Sequence, residues 1–214
     1  MKDLTELLTP PYPKGIIGRF VIGYLLMQGN SLLAVLAVVL DWREWAILPL
    51  LGYLLVVLYL ISRAGLNLSF KFSGRLLRLL LLSLMGMLLV TVFVQWISQE
   101  LLGHEVMTNQ ANVLNLFNNL SPITFVCYLL TASILEEVVY RGFLFGLSGI
   151  PWFDVLLTSA AFAVLHQPSS PILFLLYFSL GLFLGNSRHK QGLIAGIILH
   201  VLWNNLAITL AMFP

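Results

Sequence analysis

The sequence predicts an all-α fold, a polytopic membrane helix bundle of about seven transmembrane helices, and three observations carry that prediction. Hydrophobic residues make up 59% of the 214 residues and charged residues only 9%, whereas a soluble globular chain carries roughly 25% charged residues. Mean hydropathy is +0.95. The apolar residues are gathered into runs close to the ~20 residues that cross a hydrocarbon core. Eleven Lys and Arg against nine Asp and Glu are too few to clothe a water-facing surface, which excludes a cytosolic enzyme, a nucleic-acid binder and a disordered tail. The net charge of +2 is too small for a phosphate-binding surface, so the charges are read as topology information and the lipid bilayer as the first partner. The single Cys127 allows no internal disulfide and no Cys-rich zinc or iron–sulfur cluster.

Residues 1–214 are expected to form one integral-membrane domain. The first run, Ile16–Leu40, follows Thr9-Pro10-Pro11-Tyr12-Pro13-Lys14 and has no small-residue cleavage site after it, so it reads as a retained helix. The second, Trp45–Ile61, is set off by Asp41-Trp42-Arg43-Glu44, and the third, Leu77–Ile97, by the polar stretch from Ser62 to Arg78. Between Ser98 and Ser121 lies the one long loop. Its stretch from Asn112 to Leu120 alternates apolar residues and Asn as a helix lying in the interface would, with a gate over a site as the alternative. The remaining runs are Pro122–Leu147, Trp152–His166, Ile172–Gly185 and Gly192–Phe213, separated by Ser148–Pro151, Gln167–Pro171 and Asn186–Gln191. Glycines four apart, at 142 and 146, 181 and 185, and 192 and 196, permit close helix approach. No inverted repeat of the transporter kind is visible, and no feature specifies an oligomeric state.

Loop charges orient the chain. With the N-terminus cytoplasmic, the inner segments hold Lys2, Lys14, Arg19, Arg63, Lys71, Arg75, Arg78, Arg188 and Lys190, and the outer loops only Arg43. The positive-inside rule therefore places the N-terminus inside and the C-terminus outside. Trp45 and Trp96 then both fall at the outer interface, where indole rings gather.

Glu136, Glu137 and Arg141 fall inside the fourth run. An ionisable residue near the membrane centre costs at least about 2.5–3.5 kcal/mol, so such residues face the interior, find partners and mark function. Glu137 and Arg141, four apart with the acid first, suit an ion pair. Glu136 lies about 100° around the helix from Glu137. A buried carboxylate without a full counter-charge is a candidate general base, although hydrogen-bonded interhelical glue is the structural alternative. His166 closes the fifth run one turn after Phe162, a position that by itself reads as packing. His200 and Asn204, four apart well inside the seventh run, present two hydrogen-bonding groups to one spot. At 1.5 Å per residue the depths from the inner boundary are about 13 Å for His200, 16 Å for Glu136 and 22 Å for His166, so His166 is expected to sit high.

Taken in order, Glu136-Glu137-Val138-Val139-Tyr140-Arg141, Phe162 with His166, and His200 with Asn204 resemble the three motifs of the type II CAAX prenyl endopeptidase and bacteriocin-processing intramembrane proteases, the CPBP or Abi family. The resemblance covers about residues 122–206, and the first three runs carry no motif that matches. It implies that Glu136, with His166, activates water for attack on a peptide carbonyl. It further implies that His200 and Asn204 stabilise the oxyanion and that Glu137 and Arg141 hold the carboxylate of that helix in position. Amide hydrolysis needs those parts: a base, donors aimed at developing negative charge, and limited solvent access. Cys127 and Ser133 have no His placed beside them in local sequence, which favours direct attack by water over an acyl-enzyme. No metal or cofactor is assigned. In the zinc-dependent alternative, Glu136, His166 and His200 supply three ligands and water the fourth; against it stands the absence of a His-Glu-x-x-His pair.

The substrate implied is a peptide or lipidated protein, including the prenylated CAAX type, in a prokaryotic plasma membrane. Two other readings keep the fold: a non-catalytic peptide-binding or bacteriocin-immunity protein, and a proton-coupled transporter relaying charge through Glu136, His166 and His200. Asn204 separates the last from a protease, because an amide cannot titrate.

Overall fold

The structure, a computed structural model, describes residues 15–43, 45–102 and 108–212. Residues 1–14 with Lys2 and Lys14, residue Glu44 of the first break, residues 103–107 of the long loop, and Phe213 at the end of the seventh run with Pro214 lie outside the described residues. Among the described residues there are eight α-helices, one π-helical segment and no strand. In chain order they are α1 (Ile16–Val39), α2 (Ile47–Arg63), α3 (Gly74–Leu102), α4 (Thr108–Asn119), α5 (Pro122–Glu137), the π-turn (Val138–Phe143), α6 (Pro151–Leu165), α7 (Pro171–Gln191) and α8 (Leu193–Met212). Five helical stretches are long and apolar enough to cross a membrane, while Ile47–Arg63 and Pro151–Leu165 are shorter apolar helices. The chain is an integral membrane protein built as a polytopic helical bundle.

Local chemistry starts the helices of the motif-bearing half. Pro stands in the first turn of α5, α6 and α7, where its missing N–H is no loss. Ser121 Oγ accepts the Thr124 N–H (3.4 Å) and Ser170 Oγ the Leu173 N–H (3.2 Å), satisfying a donor that helix geometry leaves unpaired. Gly192, at φ 90°, ends α7 and lets α8 begin one residue later. The break expected at Asn186–Gln191 is therefore helical, and the turn is confined to one residue that only glycine fills without strain.

Polarity runs inward. Leu55, Leu81, Leu89, Phe93 and Val126 are exposed on the outside, while Glu137, Arg141, Asp154 and His200 are buried. This is the arrangement a hydrocarbon solvent favours, since a charge is tolerated only where protein partners surround it. α5 is surrounded by α1, α2 and α8, and α7 packs between α6, α3 and α8. Leu116 on α4 and Leu120 just after it point in and Asn112, Asn115 and Asn118 point out, and Phe117 meets Phe125 edge-on at 5.1 Å, so this amphipathic helix seats on the start of α5.

Two expectations about helix ends are corrected. The fourth run stops at Phe143, not Leu147, because Arg188 Nε on α7 donates to the Arg141 carbonyl (2.9 Å) and Gly146 and Gly149 turn the chain at φ 98° and 70°. Gly146 thus shapes a turn and does not take part in helix packing. The fifth run ends at Leu165, with His166 as its C-cap and Gln167 at φ 50°. At 15 residues α6 is about 22 Å long, short of a ~30 Å core, and His166 Nε2 lies 3.7 Å from Glu136 Oε2, so His166 stands level with Glu136 and not above it.

Candidate active site

Three elements converge on one spot: the end of α5 with its π-turn, the C-cap of α6 and the middle of α8. The π-turn begins directly after Glu137. Such wide turns are rare within helices and gather at functional sites.

The innermost layer is fully buried. Arg141 Nη1 donates to Glu137 Oε1 at 2.8 Å with both side chains 0% exposed, and Arg141 Nη2 donates to the Gly181 carbonyl at 3.1 Å. The same Glu137 oxygen lies 3.0 Å from His200 Nδ1. A carboxylate that already takes an Arg hydrogen acts as acceptor, so His200 Nδ1 carries a proton and donates it. Glu137 and Arg141 are therefore joined to His200. Gly196 makes room for this arrangement, since a Cβ there would lie 2.8 Å from Glu137 Oε2.

The outer layer faces a cavity. Glu136 Oε2 stands 3.7 Å from His166 Nε2 and 3.8 Å from His200 Nε2, with the Glu136 side chain 18% exposed and those of His166 and His200 13% and 3%. These separations are too long for direct hydrogen bonds and match one water between polar groups. His166 Nδ1 lies 2.7 Å from the Phe162 carbonyl. A carbonyl can only accept, so that nitrogen carries the proton and Nε2 offers its lone pair to the cavity. Phe162 forms the shelf between them: its ring centroid is 4.1 Å from that of His166 and 5.8 Å from that of His200, and the Arg141 guanidinium lies over it at 4.8 Å.

Asn204 Nδ2 donates to Ser133 Oγ at 3.0 Å, and Ser133 Oγ donates to the Leu129 carbonyl at 2.8 Å. With its proton committed, Ser133 can only accept, which fixes the Asn204 amide with NH2 towards Ser133 and a second N–H free to donate. Ser133 is thus an orienting residue that sequence reasoning weighed only as a nucleophile. Its one legible signal was its spacing, one turn before Glu136.

The cavity measures about 300 Å³, and its lining includes Glu136, His166, His200 and Asn204 together with Thr91 and Gln95 of α3. Thr91 Oγ1 is buried and makes no hydrogen bond among the described residues. Neither residue was expected at the site, because hydropathy reads α3 as an uninterrupted span. Tyr177 of α7, its ring 4.7 Å from His166, was likewise unforeseen.

A metal was tested against this donor set. Carboxylate and imidazole are the donor types that suit zinc, and Glu136 Oε2 lies 3.7 and 3.8 Å from the two imidazole nitrogens. Among the described residues no group of three or more His, Cys, Asp or Glu is placed to hold an ion.

No curated protein and no solved structure matches the chain. Residues 118–206 match the family model described as type II CAAX prenyl endopeptidase Rce1-like. That segment contains α5, the π-turn, α6, α7 and the part of α8 bearing His200 and Asn204. Over this segment, less than half of the chain, the protein is similar to the type II CAAX prenyl endopeptidases, which supports the CPBP/CAAX protease resemblance seen in its motifs.

Proposed function

We propose that this protein is an endopeptidase that cleaves a membrane-associated peptide, including the prenylated CAAX type, by glutamate-activated water. The observation that carries the reading is the convergence of Glu136 Oε2 on two imidazole nitrogens, at 3.7 and 3.8 Å, inside a cavity of about 300 Å³. A water held there donates one hydrogen to Glu136 and the other to His166 Nε2. Its oxygen lone pair then attacks the scissile carbonyl carbon as Glu136 takes the proton. The carbonyl π electrons move onto oxygen, where the free Asn204 N–H and the Nε2–H of His200 receive them. His200 offers that second N–H as an imidazolium, whose charge Glu137 and Glu136 flank. The intermediate collapses, the C–N bond breaks, and the proton on Glu136 passes to the leaving amine, giving one carboxyl and one amino terminus.

The orientation proposed with this mechanism has the N-terminus cytoplasmic in a prokaryotic plasma membrane, as the loop charges favour. Purified wild type and Glu136→Gln, with helicity checked, would be incubated with a prenylated CAAX peptide and a panel of leader-like and membrane-spanning peptides. Products would be read by mass spectrometry with and without chelator. Loss of the base is expected to reduce cleavage about 10²- to 10⁴-fold, and chelator is expected to leave wild type unchanged. Equal cutting by both proteins would remove Glu136 as base; loss with chelator, restored by zinc, would replace this mechanism with a metal one.

A further inference from the structure

The net charge of +2 hides a local concentration. Where α3 begins and α7 ends, two adjoining cavities of about 540 Å³ each share Gly74, Arg75 and Gln191 in their lining; Arg78 and Lys190 line one and Lys71 the other. Among the described residues no acidic residue lines either cavity. Among the described residues none of these four cations has an ion-pair partner, since the pairs formed are Arg43 with Asp41 and those of the active site. Arg75 and Arg78 occupy the start of α3, where Ser73 Oγ accepts the Leu76 N–H at 3.2 Å. A helix N-terminus carries positive partial charge and disfavours cations, so both helix and side chains there lack an anion.

The surroundings identify the kind of anion. Phe70 and Phe72, 52% and 68% exposed, flank Lys71, placing rings and ammonium together as at a lipid headgroup boundary. Leu79 and Leu82 continue the lining, along the same helix stripe as Arg75 and Arg78 and one to two turns further into the span. Cations at the mouth and leucines below match a phosphate followed by an acyl chain; a free phosphate has no use for the leucines. A zwitterionic headgroup would bring its own ammonium among four cations, with no carboxylate among the described lining residues to receive it.

We propose that the α3–α7 junction is a binding site for a phospholipid with a net-negative headgroup. Lys190 is two residues from Arg188, which ties α7 to the π-turn through the Arg141 carbonyl, so the lipid braces the end of the bundle that anchors the site. The test uses the full chain, delipidated in neutral detergent, with binding of phosphatidylglycerol, phosphatidylcholine and water-soluble glycerophosphate titrated by native mass spectrometry. Phosphatidylglycerol is expected to bind at least tenfold more tightly than phosphatidylcholine and to weaken with added salt. Each of Arg75→Gln, Arg78→Gln and Lys190→Gln is expected to weaken it about fivefold, and the exposed Arg43→Gln not at all. If either arginine variant fails to fold, Lys190→Gln alone decides, because that side chain is exposed. Equal binding of the two lipids, unchanged affinity in Lys190→Gln, or glycerophosphate binding as tightly as phosphatidylglycerol would overturn the proposal.

Discussion

Glu137 Oε1 receives Arg141 Nη1 at 2.8 Å and His200 Nδ1 at 3.0 Å, all three side chains being buried. Removing the carboxylate leaves a guanidinium and an imidazole without their acceptor. Glu137→Ala is expected to destabilise the protein by about 3–5 kcal/mol, the cost of a buried pair broken from one side, read as a fall in its unfolding midpoint in detergent. Glu136 has no such partner, so Glu136→Gln is expected to leave that midpoint unchanged while cleavage is lost. Ser133 acts through Asn204: Ser133→Ala frees the amide to turn. That variant is expected to lower kcat with KM unchanged and to lose less than the 10²- to 10³-fold that follows removal of an oxyanion donor.

At the level of elements, the site depends on how closely α8 approaches α5. Gly196→Ala places a methyl group 2.8 Å from Glu137 Oε2. Overpacking of that kind costs about 1–3 kcal/mol, and it displaces His200, so the variant is expected to lose stability and peptide cleavage together. α3 contributes differently. Gln95→Leu replaces an amide lining the cavity, far in sequence from the family segment, and is expected to change KM and peptide preference with kcat little altered. The helices were legible in sequence because hydropathy and Pro, Gly and Ser signals are local. The end of α5 was not, because Arg188 on α7 takes the Arg141 carbonyl, and no local pattern reveals a partner 47 residues away.

For the whole molecule, the question is whether converging polar groups inside an apolar bundle hydrolyse a peptide or pass a proton. A relay needs titratable groups, and Asn204 is not one. Asn204→Ala is expected to abolish cleavage in the mass-spectrometric assay while leaving any proton flux into proteoliposomes unchanged; the reverse pattern would favour a transporter. The motif residues Glu136, Glu137, Arg141, His166, His200 and Asn204 were legible as polar groups in apolar runs, where their cost marks them. The depth ordering of His166 was not, since it measured each run straight from a common inner boundary, whereas packing brings His166 within 3.7 Å of Glu136.

The sequence by itself determined that this chain is a helical membrane protein and which residues are out of place in a bilayer, because both follow from sums over neighbouring residues. It also carried the order of motifs by which residues 118–206 resemble the CAAX prenyl endopeptidases. Only the tertiary structure decided that Glu137 serves His200, that Ser133 orients Asn204, and that α3 joins the cavity. Those pairings link residues 63 and 71 positions apart in the chain. Which oxygen meets which nitrogen depends on ångström-scale distances between packed helices, and that information arises only when the bundle closes.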